Sequence, residues 1–218
     1  EMIRTNFSKE HIIIFGANKL DKKTGNFFNS MLVVNNNFKL IQSYDKLKLV
    51  PFGEFLPFEK TLNKFGFKKI TEGHGSFLKG TKNNILTIDK SIILPLICYE
   101  IIFTDLIQKS DFETNLIINI SEDGWFGKTI GTDQHFAQSI FRAIENNTFL
   151  LRSANQGVSA IIDNKGTIIK QLSRNEAGNI EFKVPLIKSK KTKNELIFFV
   201  LLITYLFIFF INKKNNEK

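Results

Sequence analysis

From Leu196 to Ile211 the chain reads LIFFVLLITYLFIFFI, a run with no charge, glycine or proline. A helix of this composition is apolar on every face, so it cannot lie half in water as an amphipathic surface helix does. At 1.5 Å per residue the run reaches about 24 Å, a little short of a hydrocarbon core of ~30 Å. Lys193, Lys213 and Lys214 flank it and can snorkel to make up the difference. A buried core helix is the competing reading, and the position at a chain end between lysines argues against it. The run therefore predicts a transmembrane helix over 195–212, preceded by a polar linker at 188–194 and followed by a tail at 213–218. Lysines stand on both sides of it, so charge sets no orientation. Residues 1–187 remain for a folded domain.

A content of 43% hydrophobic and 23% charged residues suits such a domain. The net charge of +9 invites a nucleic-acid partner, but only four of the 30 basic residues are arginine. No helix carries a dense basic stripe with interleaved aromatics, so the expectation is no nucleic acid. Cys98 is the single cysteine, which rules out an internal disulfide and a thiolate metal cluster. His11, His74 and His135 lack metal-ligand spacing, so no zinc site is expected. The opening EMIRTNFSKEHIIIFGANK has no leader pattern and predicts a start inside a domain.

Short apolar runs then alternate with a few helical stretches. Strands are expected at His11–Phe15 (ending at Gly16), Met31–Val34, Phe38–Ser43, Ile85–Ile88, Ile92–Ile97, Leu116–Ile120, Phe149–Arg152, Val158–Ile162 and Thr167–Gln171. Asn35-Asn36-Asn37 marks a hairpin because asparagine tolerates positive φ, and Asp163-Asn164-Lys165-Gly166 marks a turn. Helices are expected at Thr104–Lys109 and Asp133–Asn146. The pattern predicts an α/β layered domain.

Cys98 closes the apolar strand Ser91–Ile97 and is followed at once by Tyr99 and Glu100. Reactive groups emerge where buried strands end, because loops there can approach a ligand. A lone cysteine is also commonly an inert small hydrophobe. A second segment, YDKLKLVPFGEFLP from Tyr44 to Pro57, has two prolines and a glycine and reads as a rigid loop. A lysine entering such a loop could set a fixed positive charge over a developing oxyanion. Lys46 and Lys48 could equally be surface lysines beside a structural turn.

These segments together resemble the apolipoprotein N-acyltransferases, a membrane branch of the carbon–nitrogen hydrolase (nitrilase) superfamily. The likeness rests on YDKLKLVPFGEFLP, on ICYEIIF around Cys98, and on SEDGWFG from Ser121 to Gly127. It continues through Gln134-His135-Phe136, RAIE at Arg142–Glu145 and RSANQG at Arg152–Gly157, and runs in order from about Ile12 to Ile211. The resemblance implies an α-β-β-α sandwich, truncated at its N-terminus, with a transmembrane helix after it. It also implies that Cys98 is the nucleophile carrying the acyl group as a thioester and that Lys46 stabilises the oxyanion. Glu54 matches a second glutamate supporting catalysis, and Tyr99 and Glu100 match residues beside the nucleophile that the family needs. The Tyr99 N–H is a second oxyanion donor on this reading.

By the same resemblance the partners are a phospholipid acyl donor, a diacylglyceryl apolipoprotein acceptor and the membrane. The acyl transfer it implies needs neither metal nor cofactor. The site is the bacterial inner membrane, with the catalytic domain on the periplasmic side. His135 is expected to be structural, because the superfamily triad is Glu-Lys-Cys. Trp125 and Phe126 either line a lipid-facing groove or anchor the core. Some positions depart from the pattern: the triad glutamate falls in a motif upstream of Glu1, Glu122 replaces an asparagine, Gly124 replaces an alanine, and Thr148-Phe149 replaces Arg-Pro. Two other readings stand beside this one: a small-substrate amidase or nitrilase, which the hydrophobic tail and the LVPFGEFLP loop disfavour, and an inactive tethered domain, which the missing glutamate favours.

Overall fold

A computed structural model describes residues 7–58, 61, 64, 76–81, 85–108, 113–188 and 195–216. His74, Lys109 and most of the expected linker lie outside the described residues. Strands β1 (Ile12–Leu20), β2 (Phe27–Asn35) and β3 (Leu40–Asp45) form an antiparallel three-stranded sheet. Strands β4 (Leu86–Ile88), β5 (Ser91–Ile97), β6 (Leu116–Glu122), β7 (Leu150–Asn155), β8 (Ser159–Ile162) and β9 (Ile168–Leu172) form a six-stranded sheet in that spatial order. Within it β5, β6 and β7 run parallel, and the outer pairings are antiparallel. The helices are α1 (Thr104–Gln108), α2 (Gly131–Asn146) and α3 (Glu195–Asn216).

Strand β5 shows how the layers assemble, since successive side chains point to opposite faces. Ile93 and Ile97 face the three-stranded sheet, in one core cluster with Met31, Val33, Tyr44 and Leu116. Leu94 and Leu96 turn the other way and join Ile117, Leu150, Ile162 and Ala143 of α2 in a second cluster. Both faces of the central parallel strands are thus buried, which is why those strands read as continuous apolar runs. The described residues supply helix, sheet and sheet, three of the four layers expected. Beyond β9, Ile180, Val184 and Ile187 of an extended segment pack on the cluster between the sheets, and the Thr148 hydroxyl donates to the Ile187 carbonyl at 3.0 Å.

Several boundaries differ from the sequence expectation for identifiable reasons. Strand β1 does not stop at Gly16 but continues pairing to Leu20 against Phe27. A Cβ at Gly16 would sit 3.0 Å from Ile120 Cδ1 of the other sheet, so the glycine marks a close approach and not a strand end. The β2–β3 hairpin forms, but the left-handed residue is Phe38 at φ 58°, not one of the asparagines. Asn35 instead accepts from the Asn37 and Lys39 N–H groups, each at 3.0 Å. Strands β6 and β7 extend into polar sequence, with Ser121 opposite Ala154 and Glu122 opposite Asn155.

Helix α3 runs 22 residues, about 33 Å, past the expected end at 212. Its window Leu196–Lys213 is long and apolar enough to cross a membrane, and none of it is buried by the protein. The Thr204 hydroxyl donates back to the Val200 carbonyl at 2.8 Å, so this polar group is satisfied inside the helix itself.

Ile117 is fully buried between the six-stranded sheet and α2. Replacing it with alanine is expected to cost about 2–5 kcal/mol of stability. Urea unfolding would report this as a lower midpoint at unchanged slope, and an unchanged midpoint would contradict the packing described.

Candidate active site

The carboxyl ends of β5, β6 and β7 lie side by side, with Ile97 opposite Ile120 and Ser121 opposite Ala154. Cys98 is the first residue past β5. Its φ is 51°, in the left-handed region, and the chain turns there into a short 3₁₀ helix at Cys98–Ile102. For a residue with a side chain this conformation costs on the order of 1–2 kcal/mol. Such strain persists only where its surroundings enforce it. The thiol is half-buried, neither sealed in the core nor fully solvated.

Lys46 follows β3 directly and is 1% exposed. Its N–H donates to the Asn29 carbonyl at 2.9 Å, and its own carbonyl accepts from Gly80 N–H at 2.8 Å. The ammonium lies 2.9 Å from both carboxylate oxygens of Glu54. Glu54 is fixed in turn by Asn29 Nδ2 at 2.7 Å and by the Val50 N–H at 2.8 Å. The prolines and glycine between Val50 and Pro57 thus shape a loop that folds a carboxylate back onto the lysine. The alternative that Lys46 is a surface lysine is overturned by its burial. Lys48 is half-buried, paired with Asp105 at 3.0 Å.

Glu100 joins the two segments. It is fully buried and accepts four hydrogen bonds. Its Oε1 takes the Tyr44 hydroxyl at 2.9 Å, the Leu47 N–H at 2.7 Å and the Lys48 N–H at 3.0 Å. Its Oε2 takes the Ile97 N–H at 2.8 Å. One carboxylate therefore ties both neighbours of the Lys46 loop to the residue preceding Cys98. Burial pushes the Glu100 carboxyl up, against the pull of the Ile97 and Lys48 N–H groups and the Lys46 ammonium. Burial and the adjacent Glu100 also raise the Tyr44 hydroxyl, keeping it a donor. Of the five expected site residues, Lys46 and Glu54 are in direct contact, and Glu100 bonds both to residues flanking Lys46 and to the residue preceding Cys98. Tyr99 lies between Cys98 and Glu100, its ring edge-on to Phe103 at 5.8 Å.

A second, wholly buried cluster lies behind Cys98, and sequence reasoning missed most of it. Arg152 Nη2 donates to both oxygens of Asp123, at 3.0 and 2.7 Å. His135 Nδ1 is 3.0 Å from Asp123 Oδ1 and 3.1 Å from Arg152 Nη2. Asn119 accepts from Arg152 Nη1, and the Ser121 hydroxyl donates to Asp123 at 2.6 Å. Gly157 backs against Asp123 so closely that a Cβ there would overlap the carboxylate. The available signal was helix α2, whose buried face carries His135, Ser139, Arg142 and Asn146 while Phe141 and Ile144 are exposed. His135 is structural in the expected sense, and its contacts go further than that. Trp125 is 66% exposed and so is no core residue, whereas the Phe126 ring packs 5.3 Å from His135.

No cluster of three or more His, Cys, Asp or Glu side chains suited to a metal occurs among the described residues.

The pattern of a carbon–nitrogen hydrolase fits residues 6–194, most of the chain. The chain belongs to the carbon–nitrogen hydrolase family. The apolipoprotein N-acyltransferase of Rhizobium leguminosarum bv. trifolii is 42% identical over 159 residues, covering 72% of this chain and 30% of that protein. This chain therefore spans about a third of the length of such relatives. Saccharomyces cerevisiae Nit3, a nitrilase-superfamily member, superposes with a TM-score of 0.58 at 18% identity, covering 81% of this chain and 62% of that one. A variant of the amidase from Nesterenkonia sp. AN1, in which acrylamide has added to the active-site cysteine, matches with a TM-score of 0.52 at 14% identity over 76% of this chain and 60% of that one. At these identities the two structures speak to the fold, which is the nitrilase-like arrangement of mixed sheets.

Burial alone would push the Asp123 carboxyl up; its bonds from His135, Arg152 and Ser121 outweigh this and hold it at about 2. A depressed native pKa means the stabilisation is present in full above the unfolded value near 3.8 and is lost as pH falls through about 2. Its size is about 2 kcal/mol. Denaturant midpoints measured from pH 5 to pH 2 should fall in this window, and Asp123→Asn should flatten that fall. An equal pH dependence in the variant would contradict the assignment.

Proposed function

We propose that this chain carries the acyl-transfer centre of an apolipoprotein N-acyltransferase, with Cys98 as nucleophile. The observation that carries the chemistry is the buried Lys46 ammonium, held by Glu54 in a loop that Glu100 binds to the Cys98 turn. The substrate class rests on the 42% identity to the Rhizobium relative.

On this reading the Cys98 sulfur attacks the ester carbonyl of a phospholipid, and a C–S bond forms as the ester C–O bond breaks. The thiol proton passes to a carboxylate base, for which the resemblance assigns no residue in this sequence, and from it to the departing lysophospholipid alkoxide. Lys46 and the Tyr99 N–H stabilise the tetrahedral oxyanion. The α-amine of a diacylglyceryl-cysteine lipoprotein then attacks the thioester. An amide forms, the amine's proton leaves through the same base, and the sulfur returns as thiol. Transfer in two halves lets two bulky lipids use one site in turn.

Glu54 acts on Lys46: its carboxylate, in contact with the buried ammonium, fixes the direction in which that ammonium points. Glu100 and Tyr44 fix the distance between the loop and the turn. Helix α3 spans the bacterial inner membrane and keeps the domain at the lipid surface, on the periplasmic side. In water its exposed Leu, Ile and Phe side chains would forgo roughly 1.5–3 kcal/mol each.

The test is acyl-enzyme formation by the full-length protein from a radiolabelled phospholipid. Wild-type protein is expected to give a hydroxylamine-labile label, Cys98→Ala none, and Lys46→Met at least a hundredfold less, while an apolipoprotein acceptor should discharge the label as an amide. Label in the Cys98→Ala variant, or ammonia release from small amides with no lipid transfer, would contradict the proposal.

A further inference from the structure

The carbonyl of the nucleophile itself is held from below. His135 Nε2 lies 3.2 Å from the Cys98 carbonyl oxygen, and Asn119 Nδ2 lies 3.5 Å from it. Since a carbonyl only accepts, a hydrogen bond here requires a proton on Nε2. Asn119 also donates to the Leu96 carbonyl at 3.0 Å, which fixes its amide, and Arg152 donates to its other end. His135 is fixed in the same way by Asp123 and Arg152 at Nδ1. All four side chains are at most 4% exposed.

The consequence follows from peptide geometry. In a planar trans peptide the C=O and the next N–H point in opposite directions. Holding the Cys98 carbonyl down onto His135 and Asn119 therefore turns the Tyr99 N–H the other way, out of the buried cluster. Tyr99 is the second residue of the 3₁₀ turn, where an N–H has no partner within the turn. Cys98 at φ 51° would relax toward ordinary backbone without such a restraint, and the peptide plane would rotate with it.

We propose that His135, with Asn119 beside it, is the positioning residue that aims the Tyr99 N–H at the oxyanion. Asp123 and Arg152, both in contact with Nδ1, set the imidazole's angle. This rests on the acyl-enzyme reading above and adds to it a role for the buried cluster. His135 touches neither substrate nor sulfur in this role and moves no proton.

Two substitutions separate the halves of the imidazole. His135→Gln sets an amide nitrogen near the place of Nε2 and keeps a donor toward the Cys98 carbonyl. His135→Asn reaches only the place of Nδ1, keeping the contact with Asp123 while losing that donor. Two rates are measured on the full-length protein. Acyl-enzyme formation from phospholipid passes through an oxyanion, whereas alkylation of Cys98 by iodoacetamide displaces iodide at a saturated carbon and needs no oxyanion donor.

The proposal expects acylation about 10- to 100-fold slower in His135→Asn, within about threefold of wild type in His135→Gln, and alkylation within about twofold in both. Wild-type acylation in His135→Asn would overturn it. So would a parallel loss of both rates in His135→Asn, which would mean that the residue merely supports the turn. Equal slowing of acylation in both variants would overturn it as well. Absence of a wild-type thioester would instead overturn the acyl-enzyme reading on which it stands.

Discussion

The arrangement depends on one buried carboxylate. Among the described residues Glu100 forms no ion pair, and it is satisfied by four donors drawn from β3, the loop after it and the end of β5. Removing a charge from water is tolerable only when its lone pairs are taken up in this way. The requirement also runs in reverse: as long as Glu100 is buried, the two segments that supply its donors cannot drift apart. The sheets meet through dispersive packing of Met31, Val33, Ile93 and Ile97, which specifies area more than angle. The directional bonds to Glu100 add the register between Lys46 and Cys98 that packing alone leaves loose.

Two polar systems therefore lie against the turn at Cys98. In one, Glu54 pairs with the Lys46 ammonium, and Glu100 bonds the segment around Lys46 to the end of β5. In the other, Asp123, Arg152, His135 and Asn119 hold the backbone of the turn. Burial depresses the Arg152 guanidinium and Asp123 counters it, so each member is stable only in the presence of the others. The parallel strands β5, β6 and β7 explain how both systems reach one place, because Cys98, Asp123 and Arg152 all lie at or near the same ends of neighbouring strands.

Much of the fold was legible in the sequence because apolar runs mark regular elements directly: Ile92–Ile97 and Leu116–Ile120 form the strands expected of them, and Leu196–Ile211 forms a helix. What pattern reading lost was the part governed by polar side chains. Strands β6 and β7 continue through Ser121-Glu122 and Ala154-Asn155, where no hydrophobic signal remains. Gly16 looked like an end because its reason, the Ile120 side chain of another sheet, is distant in sequence. Cys98, Lys46, Glu54 and Glu100 became candidates through family likeness, since the place of Cys98 after a strand fits an inert thiol as well. The cluster of Asn119, Asp123, His135 and Arg152 was not legible, since each residue alone has the composition of a solvated surface. Only their meeting across β6, β7 and α2 makes them a unit.

The most direct test of this account is a double-mutant cycle on acyl-enzyme formation between Glu100→Gln and Lys46→Met. If Glu100 acts by holding the Lys46 loop against the Cys98 turn, each change slows acylation and the double variant is no slower than Lys46→Met within about threefold. If the two losses multiply instead, Glu100 acts independently of Lys46 and the clamp is not what organises the site.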